Sequence, residues 1–310
     1  LAFFHMGVPD EAKPKVEFIL GELVLERVEP DYDHGWSLGN RIAYSHCGYL
    51  PYAKKTALVK NSEEEVFRLK NAKNETVYRG EVQKLTTTLG DFRVLDFSSF
   101  TESGLYYLEI DNIKTSLFPI GDNPFHSSIE KSLTFLFTLR CGDDILGVHS
   151  PCHLNSYTTH PDGRMVPNFG GWHDAGDVSQ FEICTAEIAH ALLDLADAYR
   201  DTDSAFAQKI LAEARYGINW LLRTRFGDGF RALAVEYSIW QPNVVSSKET
   251  INLNQKGNIR SIAENGAYEN FLASGALAKA ALAFKELDKN FSSWCQRTAC
   301  EDFALAMEGY

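Results

Sequence analysis

The chain has 310 residues, 45% of them hydrophobic and 23% charged, a composition that points to a globular protein and excludes a disordered or fibrous one. With 30 basic and 42 acidic residues the net charge is −12, which excludes the basic face that nucleic-acid phosphates require and leaves neutral or cationic substrates open. No apolar run approaches the roughly 18 residues of a membrane span. At roughly 100–200 residues per domain, the length predicts two domains. The chain opens Leu-Ala-Phe-Phe without a basic stretch, so an export signal is expected to be absent or already removed.

Residues 15–120 read as short strands. Segments 15–28, 41–49, 55–60, 65–69, 75–82, 92–97, 104–110 and 115–120 are rich in β-branched and aromatic residues and are separated by Gly, Asn and Asp clusters. That spacing predicts an immunoglobulin-like β-sandwich over residues 1–121. The doubled tyrosine of Gly104-Leu105-Tyr106-Tyr107 leaves the in/out register of that strand open.

The pattern changes at Gly121-Asp122-Asn123-Pro124, where Asn123 is expected as a helix N-cap and Pro124 as the first helical residue. Apolar stripes follow at Ile129–Leu133–Leu136–Phe137, at Ile188–Leu192–Leu195–Tyr199 and from Phe206 to Leu222. A further stretch from Tyr268 to Ala283 is apolar on most faces, which predicts a helix packed between others. Residues 122–310 are thus expected to be helical, with long, functional loops at 142–173 and 226–262. Trp172, Trp220 and Trp294 are expected in the core, and His190 as a structural helix histidine.

The densest chemistry lies between Arg140 and Asp177: Arg140-Cys141-Gly142, then Pro151-Cys152-His153-Leu154, then Gly170-Gly171-Trp172-His173-Asp174-Ala175-Gly176-Asp177. Cys141, Cys152, His153 and His173 supply two thiolates and two imidazoles, a set suited to structural zinc, although the spacing is not that of a zinc finger. Equally open from the residues alone are buried thiols or a disulfide with two loop histidines nearby, and His149 or His160 as substitute ligands. Asp174 and Asp177, separated by two small residues, form a carboxylate pair on one turn. Such a pair suits a general base with a helper on the same water better than the acid and base of glycoside hydrolysis. A helix N-cap or a calcium loop is the plainer reading of Asp-Ala-Gly-Asp.

In this order, and after a β-sandwich, these motifs resemble glycoside hydrolase family 9, inverting enzymes that are mostly cellulases. Gly48-Tyr49-Leu50-Pro51, Leu95-Asp96-Phe97-Ser98 and Gly104-Leu105-Tyr106 are similar to the immunoglobulin-like module that many members carry. The resemblance implies an (α/α)6 barrel cleaving β-1,4-linked sugars, with Asp177 as general base and Asp174 positioning the water. It also implies a structural zinc on Cys141, Cys152, His153 and His173, and favours a secreted or periplasmic location, with a cytoplasmic one compatible. Val178-Ser179-Gln180-Phe181 departs from the Tyr-Gly-Lys-Tyr of many family cellulases, which admits an exo-acting β-glucosaminidase as an alternative. A carbohydrate-binding protein without catalysis is another. Tyr237 and Trp240 are candidates for a sugar-stacking platform, or else packed loop aromatics.

The family's acid is a glutamate far downstream, and nothing here matches its motif. After about 120 residues of sandwich, about 190 remain, enough for six or seven helices rather than twelve. The chain is therefore expected to be the N-terminal part of a longer enzyme or to be completed by a second polypeptide.

Overall fold

The computed structural model describes residues 38–154, 156–174, 178–237 and 259–310. The chain divides into two compact units between Pro124 and Phe125. The strand expected over 15–28 lies outside the described residues.

In the first unit the β-branched and aromatic runs pair as antiparallel strands: β1 (Ile42–Ala43), β2 (Thr56–Val59), β3 (Val66–Asn71), β4 (Thr76–Thr87), β5 (Gly90–Asp96), β6 (Gly104–Ile110), β7 (Ile113–Lys114) and β8 (Phe118–Ile120). One ladder runs β1-β2-β5-β4, and the other runs β4-β3-β6 with β7 and β8 both on β6. Strand β4 serves both: Thr76 to Glu81 pair with β3, and Val82 to Thr87 pair with β5. Period-2 alternation sends Phe67, Leu69, Leu95, Leu108, Ile110 and Phe118 into one core, where Tyr49 meets the rings of Phe97 and Phe118 edge-on. The open register of β6 resolves with Tyr106 buried and Tyr107 half-buried. Lys55 is wholly buried, and its ammonium donates to the carbonyls of Ala53 and Ser98 at 3.0 Å and to that of Pro51.

The second unit contains α1 (His126–Thr138), α2 (Glu182–Tyr199), α3 (Ser204–Arg223), α4 (Ala267–Ala283) and α5 (Lys289–Gly309). Helix α2 packs on α3 and α4, and α4 also packs on α5, as its nearly all-round apolarity predicts. Their shared core includes Leu192 and Leu193, Ile210 and Ile218, Leu277, Phe291 and Cys295. Helices α3 and α5 start alike: the carboxylates of Asp203 and Asp288 accept from the N–H of Phe206 and Phe291, each at 3.0 Å. Helix α1 begins later than expected. Its N-cap is Phe125, without a side-chain cap bond, because the first helical N–H bond, from Ile129, goes to the Phe125 carbonyl.

The two expected long loops carry strands. Within the first, β9 (Tyr157–Thr159) and β10 (Met165–Pro167) form a hairpin. At the second, β12 (Arg231–Tyr237) pairs with β13 (Ile259–Glu264) and with β11 (Gln180–Phe181). Trp172 and Trp220 are core residues, but Trp294 is 44% exposed, since it falls off the face of α5 that buries Phe291, Cys295 and Thr298. Among the described residues no helix is long and apolar enough to cross a membrane.

Candidate functional site

Two short backbone segments build the site. Arg140 and Trp172 face each other in an antiparallel bridge. The Cys141 N–H donates to the Gly171 carbonyl at 2.9 Å, and the His173 N–H donates to the Leu139 carbonyl at 2.8 Å. Gly170 and Gly171, at φ +103° and +69°, make the turn into this bridge, a backbone path that favours glycine. Cys141 and His173 are thereby placed on neighbouring segments, and the loop after Cys141 returns Cys152 and His153 to them.

All four side chains are buried, and their ligand atoms lie within 4.8 Å of one another. Cys152 Sγ stands 3.8 Å from Cys141 Sγ and 3.2 Å from His173 Nε2, and Cys141 Sγ stands 3.3 Å from His153 Nδ1. The sulfur separation excludes the roughly 2.05 Å bond of a disulfide. It agrees with the S···S edge of about 3.8 Å that a tetrahedral ion would set with metal–sulfur bonds of about 2.3 Å. Hydrogen bonding from Cys141, His149, His153 and His173 holds the Cys152 thiol well below the ordinary thiol range, against the effect of its burial. Burial raises Cys141 and keeps the His173 imidazole toward its neutral form. A thiolate at Cys152 beside a His173 imidazole held toward its neutral form is what metal ligation needs of those two groups, and with the four buried ligand atoms so close together the residues present fit a tetrahedral metal.

His149 flanks this group, its ring 5.1 Å from that of His173 and its Nδ1 2.9 Å from the Ser150 carbonyl oxygen. His160 lies elsewhere, with Asp162 and Asp228 at 2.7 and 3.4 Å. The Arg164 guanidinium already bridges those two carboxylates.

Asp174 follows His173 directly and is exposed. Its N–H donates to the Ser179 carbonyl at 2.7 Å, which joins the two flanks of the aspartate loop, and Cys184 Sγ reaches its Oδ1 at 3.5 Å. Val178 is held at φ +57°, a genuine outlier for a β-branched residue. Asp177 and Trp240 lie outside the described residues, and Tyr237 ends β12, where only its backbone is described. Sequence reading missed a buried carboxylate in this unit: Glu182, at the first position of α2, faces Arg231 at 3.5 Å, and Arg231 is also paired with Asp302 and Asn270. It missed Glu213 on α3 as well, whose partners stand 41 and 73 residues away in the chain. No local pattern announces either one.

Residues 125–310 match the family model described as glycosyl hydrolase family 9, and residues 38–115 match the cellulase N-terminal ig-like domain. The chain belongs to glycosyl hydrolase family 9. It is 25% identical over 227 residues to Endoglucanase D of Acetivibrio thermocellus, covering 66% of this chain and 36% of that protein. It is 28% identical over 211 residues to a cellodextrinase of Butyrivibrio fibrisolvens, covering 61% of this chain and 38% of that one. The chain thus spans well under half the length of these relatives. Among solved structures it resembles a thermostable endoglucanase from Alicyclobacillus acidocaldarius, with a TM-score of 0.68, 23% identity, and coverage of 87% of this chain and 52% of that one. A Zn-binding triple mutant of the family 9 endoglucanase J30 matches with a TM-score of 0.66 and 22% identity, over 84% of this chain and 53% of that one. The fold is accordingly an N-terminal immunoglobulin-like sandwich followed by part of the family 9 (α/α)6 barrel.

Proposed function

We propose that the protein hydrolyses β-1,4-glycosidic bonds of a glucan with inversion, and that its zinc is structural. Asp177 is the general base that removes a proton from the attacking water, and Asp174 orients the same water. The acid that protonates the leaving oxygen is a glutamate outside this chain, supplied by a longer protein or a second polypeptide, since inversion needs a carboxyl about 6.5–9.5 Å from the base. The observation that carries this reading is the junction of His173 and Asp174. The proposed metal ligand His173 and the first aspartate are consecutive, so the backbone that bears the aspartates starts from a buried and cross-braced group. Cys141, Cys152, His153 and His173 would hold the zinc, which would supply a fixed anchor for that backbone. Endoglucanase and cellodextrinase relatives support a β-glucan as substrate.

Asp177→Asn tests the proposal. Turnover of cellodextrins by the complete enzyme is expected to fall about 10²–10⁴-fold, as for loss of a general base, with the circular dichroism spectrum unchanged. Wild-type-like turnover in that variant would overturn it. Proton NMR of the first product anomer checks inversion, and a product profile on glucosamine oligomers against cellodextrins checks the sugar.

A further inference from the structure

Helix α3 presents three consecutive features to the bridge that carries Cys141 and His173. Glu213, with its side chain 7% exposed, sends Oε1 to accept from Trp172 Nε1 at 2.9 Å and from Arg140 Nε at 3.2 Å. Its Oε2 accepts from the second guanidinium arm of Arg140 at 2.8 Å. One turn on, the Tyr216 hydroxyl donates to the Cys141 carbonyl at 2.7 Å, and its ring lies 4.4 Å from the Arg140 guanidinium. At Gly217 an added Cβ would run into the six-membered ring of Trp172, so this glycine makes room for the indole. Arg140 and Trp172 immediately precede Cys141 and His173. One carboxylate therefore grips both segments a single residue before each bears a ligand.

Packing alone does not account for a charge here. Ile210, Ala214, Ile218 and Leu221 already bury α3 in the core, and a buried ion pair is often no more stabilising than a hydrophobic replacement of its size. What a bidentate, charge-assisted grip adds is a fixed distance and orientation between the two segments. We propose that Glu213 is a positioning residue of the metal site: by holding Arg140 and Trp172 together it sets the separation of Cys141 and His173 and so slows release of the metal. The inference rests on the zinc reading above.

The test uses the zinc-loaded protein and two readouts, the rate of zinc release into an excess of chelating dye and the thiolate-to-metal charge-transfer band after cobalt substitution. Glu213→Leu is expected to speed release about 10–100-fold and to shift the band, as for loss of other groups that orient metal ligands. Glu213→Gln, which can still accept from Trp172, is expected to do so less. Ile210→Ala, a core truncation in the same helix, should lower the Tm while leaving release and spectrum as in the wild type. Should Glu213→Leu fail to fold, Trp172→Phe removes the indole donor, along with part of the ring's bulk, and is expected to act in the same direction. Wild-type release and spectrum in the Glu213 variants would overturn the proposal. A wild-type protein that retains no zinc would overturn the zinc reading and this proposal with it, and the metal content of the wild type tells the two failures apart.

Discussion

His153 adopts φ +60°, a left-handed conformation uncommon outside glycine. Such strain persists where the surroundings over-determine the backbone, and here it aims an imidazole at Cys141. Cys152 links the two backbone segments of the set, with Cys141 and His173 both in reach of its sulfur. Cys152→Ser is expected to leave the purified protein without stoichiometric zinc, measured by atomic emission, and to lower its Tm. Full metal content in that variant would remove Cys152 from the ligand set. In the sandwich, Lys55 explains why two separated motifs belong together: its ammonium ties the carbonyl of Pro51, which ends one, to that of Ser98, which ends the other. Lys55→Met strands those buried carbonyls and is expected to cost about 1–3 kcal/mol, read from urea melts.

Glu182 opens α2 fully buried, and burial pushes its carboxyl up to about 8, with the Arg231 guanidinium opposing and Glu269 and Asp302 adding to the rise. The folded protein thus keeps a proton that the unfolded chain gives up near its ordinary value of 4.5. Its contribution to stability is fully present below that value and is lost as pH rises toward about 8, with a slope of up to about 1.4 kcal/mol per pH unit. Glu182→Gln is expected to flatten this dependence in urea melts taken inside and above the window, and an unchanged pH profile would contradict it. Helices α1, α2 and α3 were readable from the sequence because their apolar stripes repeat at 3.6 residues, α4 because it is apolar on most faces, and β6 because its ends are marked by turn residues. The strands β12 and β13 were not, since their pairing is set by each other and by β11. The same holds for the site: four ligand candidates lie in one motif-rich segment and were visible. Glu213 and Tyr216 look like ordinary residues of an amphipathic helix until the fold brings them to Cys141.

The two units have separate cores, and the Cys/His set lies wholly in the second. Zinc removal is therefore expected to lower the calorimetric transition of the helical unit and leave that of the sandwich in place. A shift of both transitions by the same amount would contradict that independence. Coordination of the proposed zinc at Cys141 and His173 would also close the chain between them into a loop. A covalent cross-link over such a length would remove about 3–4 kcal/mol of unfolded-state entropy. With zinc bound as proposed the link would be coordinate, since none of the described cysteines is in a disulfide. Its strength then follows mass action, growing with the logarithm of free metal concentration over Kd. On the proposed zinc reading, the resistance of the helical unit to unfolding would be a property of the solution as well as of the chain, high where zinc is plentiful and low where it is scarce.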